Sequence, residues 1–186
     1  EAGIGKTELL RAARALGTDA GAAVLTARAS ELERDYSYGI VRQLFQAPLL
    51  ELDPDGRAQA LSGAAALAGA MLDVPGGAAD ESTRDGFARL HGLHWLCANL
   101  AETQPLMLAV DDIQWSDTES LRFLHYLAGR LEDLPVVVVG TIRTGEPDAP
   151  EALLAQLRSE AIVRSVRPSP LSLDATVTFV REHVGV

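Results

Sequence analysis

Glu1-Ala2-Gly3-Ile4-Gly5-Lys6-Thr7 opens the chain, and its spacing is that of G-x-x-x-x-G-K-[ST] without the leading glycine. In that pattern successive backbone N–H groups converge on an anion, which needs backbone angles that glycine reaches without a Cβ penalty. The spacing therefore predicts a phosphate-binding loop made of Glu1, Ala2, Gly3, Ile4, Gly5, Lys6 and Thr7. Lys6 is expected to place its ammonium against the β- and γ-phosphates of a nucleoside triphosphate, and the Thr7 hydroxyl to ligate Mg²⁺. A helix should follow at once, because its N-terminal N–H groups and positive dipole end favour the anion. Leu9, Leu10, Ala13 and Leu16 fall on one helical face, and Gly17 is placed to stop the helix.

A second constellation lies far along the chain. Leu106 to Val110 (LMLAV) is a continuous apolar strand running into Asp111-Asp112. Magnesium bridging two phosphates takes hard oxygen ligands, often through water, and the carboxyl end of a parallel strand is where such ligands sit. Asp111 is assigned the water-mediated metal contact. Asp112 is the candidate for orienting or polarising an attacking water. An isolated Asp-Asp pair usually does no more than cap a turn; the glycine-rich loop in the same chain is what favours the metal reading. Val136 to Val139 run into Gly140-Thr141-Ile142-Arg143, which puts Thr141 and Arg143 near the same sheet edge as Asp111. Arg143 is the candidate cation for the γ-phosphate, with a surface arginine at a strand end as the plain alternative. Trp115 reads as a packing residue. Tyr36 and Tyr38 either approach an adenine or pack at a helix start. His91 and His94 lie on a helix and are assigned no chemistry.

Composition narrows the class. The 186 residues suit one domain spanning 1–186, and 47% hydrophobic with 23% charged residues is ordinary for a globular protein. A formal charge of −10 argues against a broad surface for a nucleic-acid backbone, yet allows a local cationic pocket for one nucleotide. The single Cys97 excludes an intrachain disulfide, and four scattered histidines offer no zinc spacing. With no apolar run near about 20 residues and no signal peptide, a cytoplasmic location without membrane contact is expected.

Helical stretches alternate with short apolar runs, the pattern of an α/β fold with a mostly parallel sheet. Strands are expected at Ala22–Ala27, Leu106–Val110 and Val136–Val139, the last buried on both faces, with a weak one at Ala161–Val166. Helices are expected over Tyr38–Phe45 (ending near Pro48), Ala58–Leu72, Arg84–Thr103 with a stripe of Phe87, Leu90, Leu93, Cys97 and Leu100, and Asp174–Val184. A shorter helix should open at Pro150. Ser82 with Asp85 reads as one N-terminal cap, and Ser116 with Glu119 has capping-box spacing for another. Gly76 to Thr83 is the candidate mobile loop.

With these residues in place, a resemblance appears. Glu1 to Thr7 (EAGIGKT), Ala29 to Leu44 (ASELERDYSYGIVRQL), Leu106 to Leu124 (LMLAVDDIQWSDTESLRFL), Pro135 to Glu146 (PVVVVGTIRTGE) and Pro170-Leu171-Ser172 resemble the signalling ATPases called STAND proteins. The likeness is closest to the ATPase domain of the large ATP-binding LuxR-type transcriptional regulators. It implies a three-layer α/β/α core of the P-loop NTPase type in which ATP exchange or hydrolysis switches an oligomerising regulator, with ATP/ADP and Mg²⁺ as cofactors. It also implies the nucleotide role for Gly3, Gly5, Lys6 and Thr7, the acidic-strand role for Asp111 and Asp112, and the strand-end arginine role for Arg143. Adenine over guanine rests on the resemblance, since no N-K-x-D guanine motif occurs.

In that family a winged-helix segment, a repeat-rich sensor and a C-terminal helix-turn-helix follow the ATPase domain. Direct DNA binding is therefore not expected of these residues, whereas self-association through the domain is. The family's first loop glycine and the strand before it would precede Glu1. That strand lies centrally in the sheet, between Ala161–Val166 and Val136–Val139, so the chain is expected to be a fragment lacking its first, central strand. A folded interaction module with a vestigial nucleotide site is the alternative reading. A small phosphotransferase is a third, against which no acceptor-binding segment is recognisable.

Overall fold

Three apolar runs form the centre of the molecule because each is short and rich in β-branched or aliphatic side chains. A computed structural model describes residues 4–76 and 85–184. Strands β1 (Ala23–Arg28), β2 (Leu106–Asp111) and β3 (Val136–Gly140) pair in parallel in the order β1-β2-β3. The register sets Arg28 beside Asp111 and Val110 beside Gly140, so the functional candidates meet at one carboxyl edge. Only β2 is buried along its whole length.

Alternation along β2 separates two layers of helix. Leu106, Leu108 and Val110 join the main core with α2 (Gly39–Glu51), α5 (Gly86–Ala101) and α6 (Thr118–Ala128), through Val41, Leu44, Phe45, Leu93, Leu96, Phe123 and Leu124. Met107 points the other way, onto α1 (Lys6–Asp19). A Cβ added to Gly17 would lie 2.6 Å from Met107 Cε, so this glycine permits helix and sheet to touch. The arrangement is the expected α/β/α order, with Cys97 wholly buried on α5 and its thiol pushed far above the ordinary range by desolvation.

Several expectations need correction. Gly17 does not stop α1, which continues to Asp19, and of the anticipated apolar face only Leu10 is buried; Leu9 and Leu16 are exposed. Helix α2 runs through Pro48 to Glu51, with buried Leu49 anchoring its last turn. The stretch 58–72 is not one helix. It divides into α3 (Pro54–Ala60), a 3-10 turn at Gly63–Ala65 and α4 (Ala66–Met71), because Gly63 adopts a φ of 60° that no helix interior accommodates. On α5, Phe87 is exposed instead of belonging to the buried stripe.

Strand β3 is not buried on both faces. Only β2 pairs with it among the described residues, and none of its valines is fully buried: Val136, Val138 and Val139 are half-buried and Val137 is 45% exposed. Residues 161–166 form no strand; an extended coil links α7 (Glu151–Ser159) to α8 (Leu173–Val184). The Ser116–Glu119 capping box is replaced by Asp117, whose carboxylate accepts the Ser120 N–H at 2.9 Å, while Asp85 caps α5 as anticipated by accepting the Phe87 N–H at 3.1 Å. Ser82 and most of the Gly76–Thr83 segment lie outside the described residues, as do Glu1, Ala2 and Gly3 of the loop.

Candidate functional site

The loop enters the described structure at Ile4 and turns sharply. Gly5 holds φ at 92°, a left-handed conformation, and its carbonyl accepts the Leu9 N–H at 3.0 Å, closing the first turn of α1. Lys6 and Thr7 are the first residues of that helix. The helix is thereby aimed so that the Thr7 hydroxyl donates to Asp111 Oδ2 at 3.2 Å, across 104 residues of chain.

At the end of β2 the backbone departs from the strand. Asp111 keeps sheet pairing, its carbonyl accepting the Ala29 N–H at 3.0 Å, while Asp112 turns into the left-handed region at φ 56° and ψ 45°. Asp tolerates this conformation better than most side chains. Both carboxylates are buried, each only 6% exposed. The Thr141 hydroxyl binds the pair together: it accepts the Asp112 N–H at 2.9 Å and donates to Asp111 Oδ1 in a short hydrogen bond. Gly140 makes this approach feasible. A Cβ there would lie 2.1 Å from Ile113 Cδ1, so a larger residue would displace the buried Ile113 side chain at the turn after β2.

Asp112 is surrounded by donors. Arg143 offers Nε to Oδ1 at 3.0 Å and Nη2 to Oδ2 at 3.4 Å, and Arg28 Nη2 stands 3.8 Å from Oδ2. The Gln114 amide adds an Nε2–H to Oδ1 at 3.0 Å and accepts the Arg143 backbone N–H at 2.9 Å. The site thus has two chemically different carboxylates. Asp111 accepts from the hydroxyls of Thr7 and Thr141; Asp112 meets two guanidiniums and an amide.

A family model described as AAA ATPase domain matches residues 1–139. The chain belongs to the AAA ATPase domain family. No curated protein and no solved structure matches it. The matched span takes in the glycine-rich loop, β1, β2 and most of β3. An AAA ATPase domain is a nucleotide-binding domain, and its family usually holds Mg²⁺ with the nucleotide.

The oxygen atoms here suit that ion. Thr7 Oγ1 and Asp111 Oδ2 are hard oxygen donors 3.2 Å apart, the donor type that Mg²⁺ takes directly or through water. These two residues would hold the ion, and it would neutralise phosphate charge. Among the described residues no cluster of three or more His, Cys, Asp or Glu side chains offers a rival metal site, and no helix is long and apolar enough to cross a membrane.

The structure brings Thr7, Asp111, Asp112 and Arg143 together and leaves Lys6 and Gly5 at the adjoining helix start. Tyr38 is buried at the N-terminus of α2, with the Arg89 guanidinium 5.7 Å from its ring centroid, and Tyr36 is exposed. Trp115 packs against the core as expected. Sequence reasoning missed Arg28 and Gln114. An arginine closing the strand AVLTAR parallels the one following VVVVG, and a glutamine between Ile113 and Trp115 is a polar residue inside an apolar turn; both were signals.

Proposed function

We propose that this domain binds Mg-ATP between the Glu1–Thr7 loop and the Asp111–Asp112 turn, and hydrolyses it slowly as the switch of a transcriptional regulator of the large ATP-binding LuxR type. The observation that carries the reading is the Thr7–Asp111 contact, which joins the phosphate-loop helix to the acidic strand. Lys6 then neutralises the β- and γ-phosphates, Asp111 and Thr7 hold the metal ion, and Asp112 orients the attacking water. Arg143 senses the γ-phosphate from the end of β3. Self-association through the ATPase domain of a cytoplasmic regulator, with DNA contacts made by other parts of the parent protein, completes the proposal.

Isothermal titration calorimetry of the full-length protein with ATP and Mg²⁺ tests it. Lys6→Ala should weaken ATP binding by well over ten-fold, because a desolvated ammonium on the phosphates is lost. Equal affinity in the variant would sink the reading.

A further inference from the structure

We infer that Gln114 is a positioning residue for Asp112, and that it makes Oδ2 the carboxylate oxygen available to water. The inference rests on the hydrolysis reading above. In that reaction Asp112 accepts a proton from water as the water oxygen bonds to the γ-phosphorus. The bond from phosphorus to the β–γ bridging oxygen breaks, and its electron pair leaves with ADP.

A carboxylate can do this only with a free lone pair correctly aimed. Asp112 Oδ1 has none to spare, since Gln114 Nε2 and Arg143 Nε each donate to it at 3.0 Å. Oδ2 is held more loosely, by a longer hydrogen bond of 3.4 Å from Arg143 Nη2 and an ion pair at 3.8 Å with Arg28 Nη2. The Arg28 side chain is 74% exposed, so solvent screens and loosens the second of these. One oxygen is anchored by two hydrogen bonds of 3.0 Å, and the other, with one longer hydrogen bond, keeps a lone pair for water.

Gln114 sets that difference. It is completely buried, and both ends of its amide are used, Nε2 toward Asp112 and Oε1 toward the Arg143 backbone N–H at 2.9 Å. Rotating the amide by half a turn would set its NH₂ against that N–H and its oxygen against the carboxylate. The surroundings therefore dictate one orientation. The same side chain fixes where Arg143 leaves β3, so the carboxylate and its guanidinium partner share one positioning group. The backbone of Asp112 is held independently by its N–H bond to Thr141. What remains for Gln114 to control is the rotation of the carboxylate.

The test compares steady-state ATP hydrolysis by the full-length protein with Gln114→Met, which keeps the volume and removes both hydrogen bonds. The expected result is a kcat lower by roughly ten-fold or more with KM changed less than about two-fold, the scale of a lost supporting hydrogen bond. Added to Asp112→Asn, the same substitution should cost no further turnover. A wild-type kcat in Gln114→Met, or an equal loss in both backgrounds, overturns the inference.

Gln114→Glu supplies a second readout should the methionine variant fold poorly. Its carboxyl can donate to Oδ1 only when protonated, so turnover should fall as pH rises, unlike wild type. A pH profile parallel to wild type also overturns the inference. Absence of hydrolysis in the wild-type protein, or full turnover in Asp112→Asn, would instead remove the parent reading and the inference with it.

Discussion

Asp112 and Asp117 lie five residues apart, are both buried, and have opposite kinds of partner. Asp117 accepts three backbone N–H groups, from Tyr38 at 2.8 Å, Gly39 at 3.0 Å and Ser120 at 2.9 Å. It ties the N-terminus of α2 to that of α6, using donors that cannot move without unravelling a helix. Asp112 is met by side chains, two of them long and cationic. A buried carboxylate on backbone donors is part of the frame; one on movable side chains can change its partners. Burial alone would not have distinguished them.

Substitution should pull the two apart. Asp117→Ala orphans donors at two helix starts and is expected to cost roughly 3–5 kcal/mol in urea unfolding, with turnover per folded molecule retained. A loss below about 1 kcal/mol would return Asp117 to the surface-cap class. Asp112→Asn should do the reverse, cutting turnover by about 100-fold or more while stability changes by less than about 1.5 kcal/mol. Unchanged turnover there removes Asp112 from the chemistry.

Gly140→Ala probes the spacing on which both depend. The added methyl displaces Ile113, which is buried, and should cost about 1–3 kcal/mol together with part of the activity. Combining it with Ile113→Ala should recover activity if the steric account is right. The smallest effect is expected at His94, on α5. Burial first, and then the charges of Arg130 and His91, push its pKa below the ordinary 6.5. The folded chain therefore binds this proton less readily than the unfolded chain. Stability referable to neutral His94 is present above about pH 6.5 and is lost as pH falls below it. His94→Gln should flatten unfolding free energy against pH between about 7 and 5.5, by less than about 1 kcal/mol; an unaltered slope would exclude the residue.

The sheet and the outline of the site were legible for a common reason. LMLAVDD and VVVVGTIR couple an apolar run to polar residues at one end, so strand and edge chemistry are written contiguously. The glycine-rich loop is equally local. Burial of Val136 to Val139 was not legible, because four valines fit a strand with one neighbour as well as one with two. The cap of α6 was ambiguous, since Ser116, Asp117 and Thr118 are all competent and only the meeting with Tyr38 and Gly39 selects Asp117. The break at Gly63 was readable from Leu61-Ser62-Gly63, but the alanines on either side masked it. Gln114 and Arg28 could not be assigned because their significance lies in contacts 29 and 84 positions away, namely Arg143 and Asp112.

The Thr141 hydroxyl has one hydrogen, and that hydrogen is committed to Asp111 while its lone pair receives the Asp112 N–H. The link between the two aspartates therefore has a direction, and polarisation can run along it from backbone to carboxylate. Serine preserves that direction and valine abolishes it while filling the same space. The permitted vocabulary at position 141 is accordingly set by the orientation of one proton, more narrowly than by volume or hydropathy.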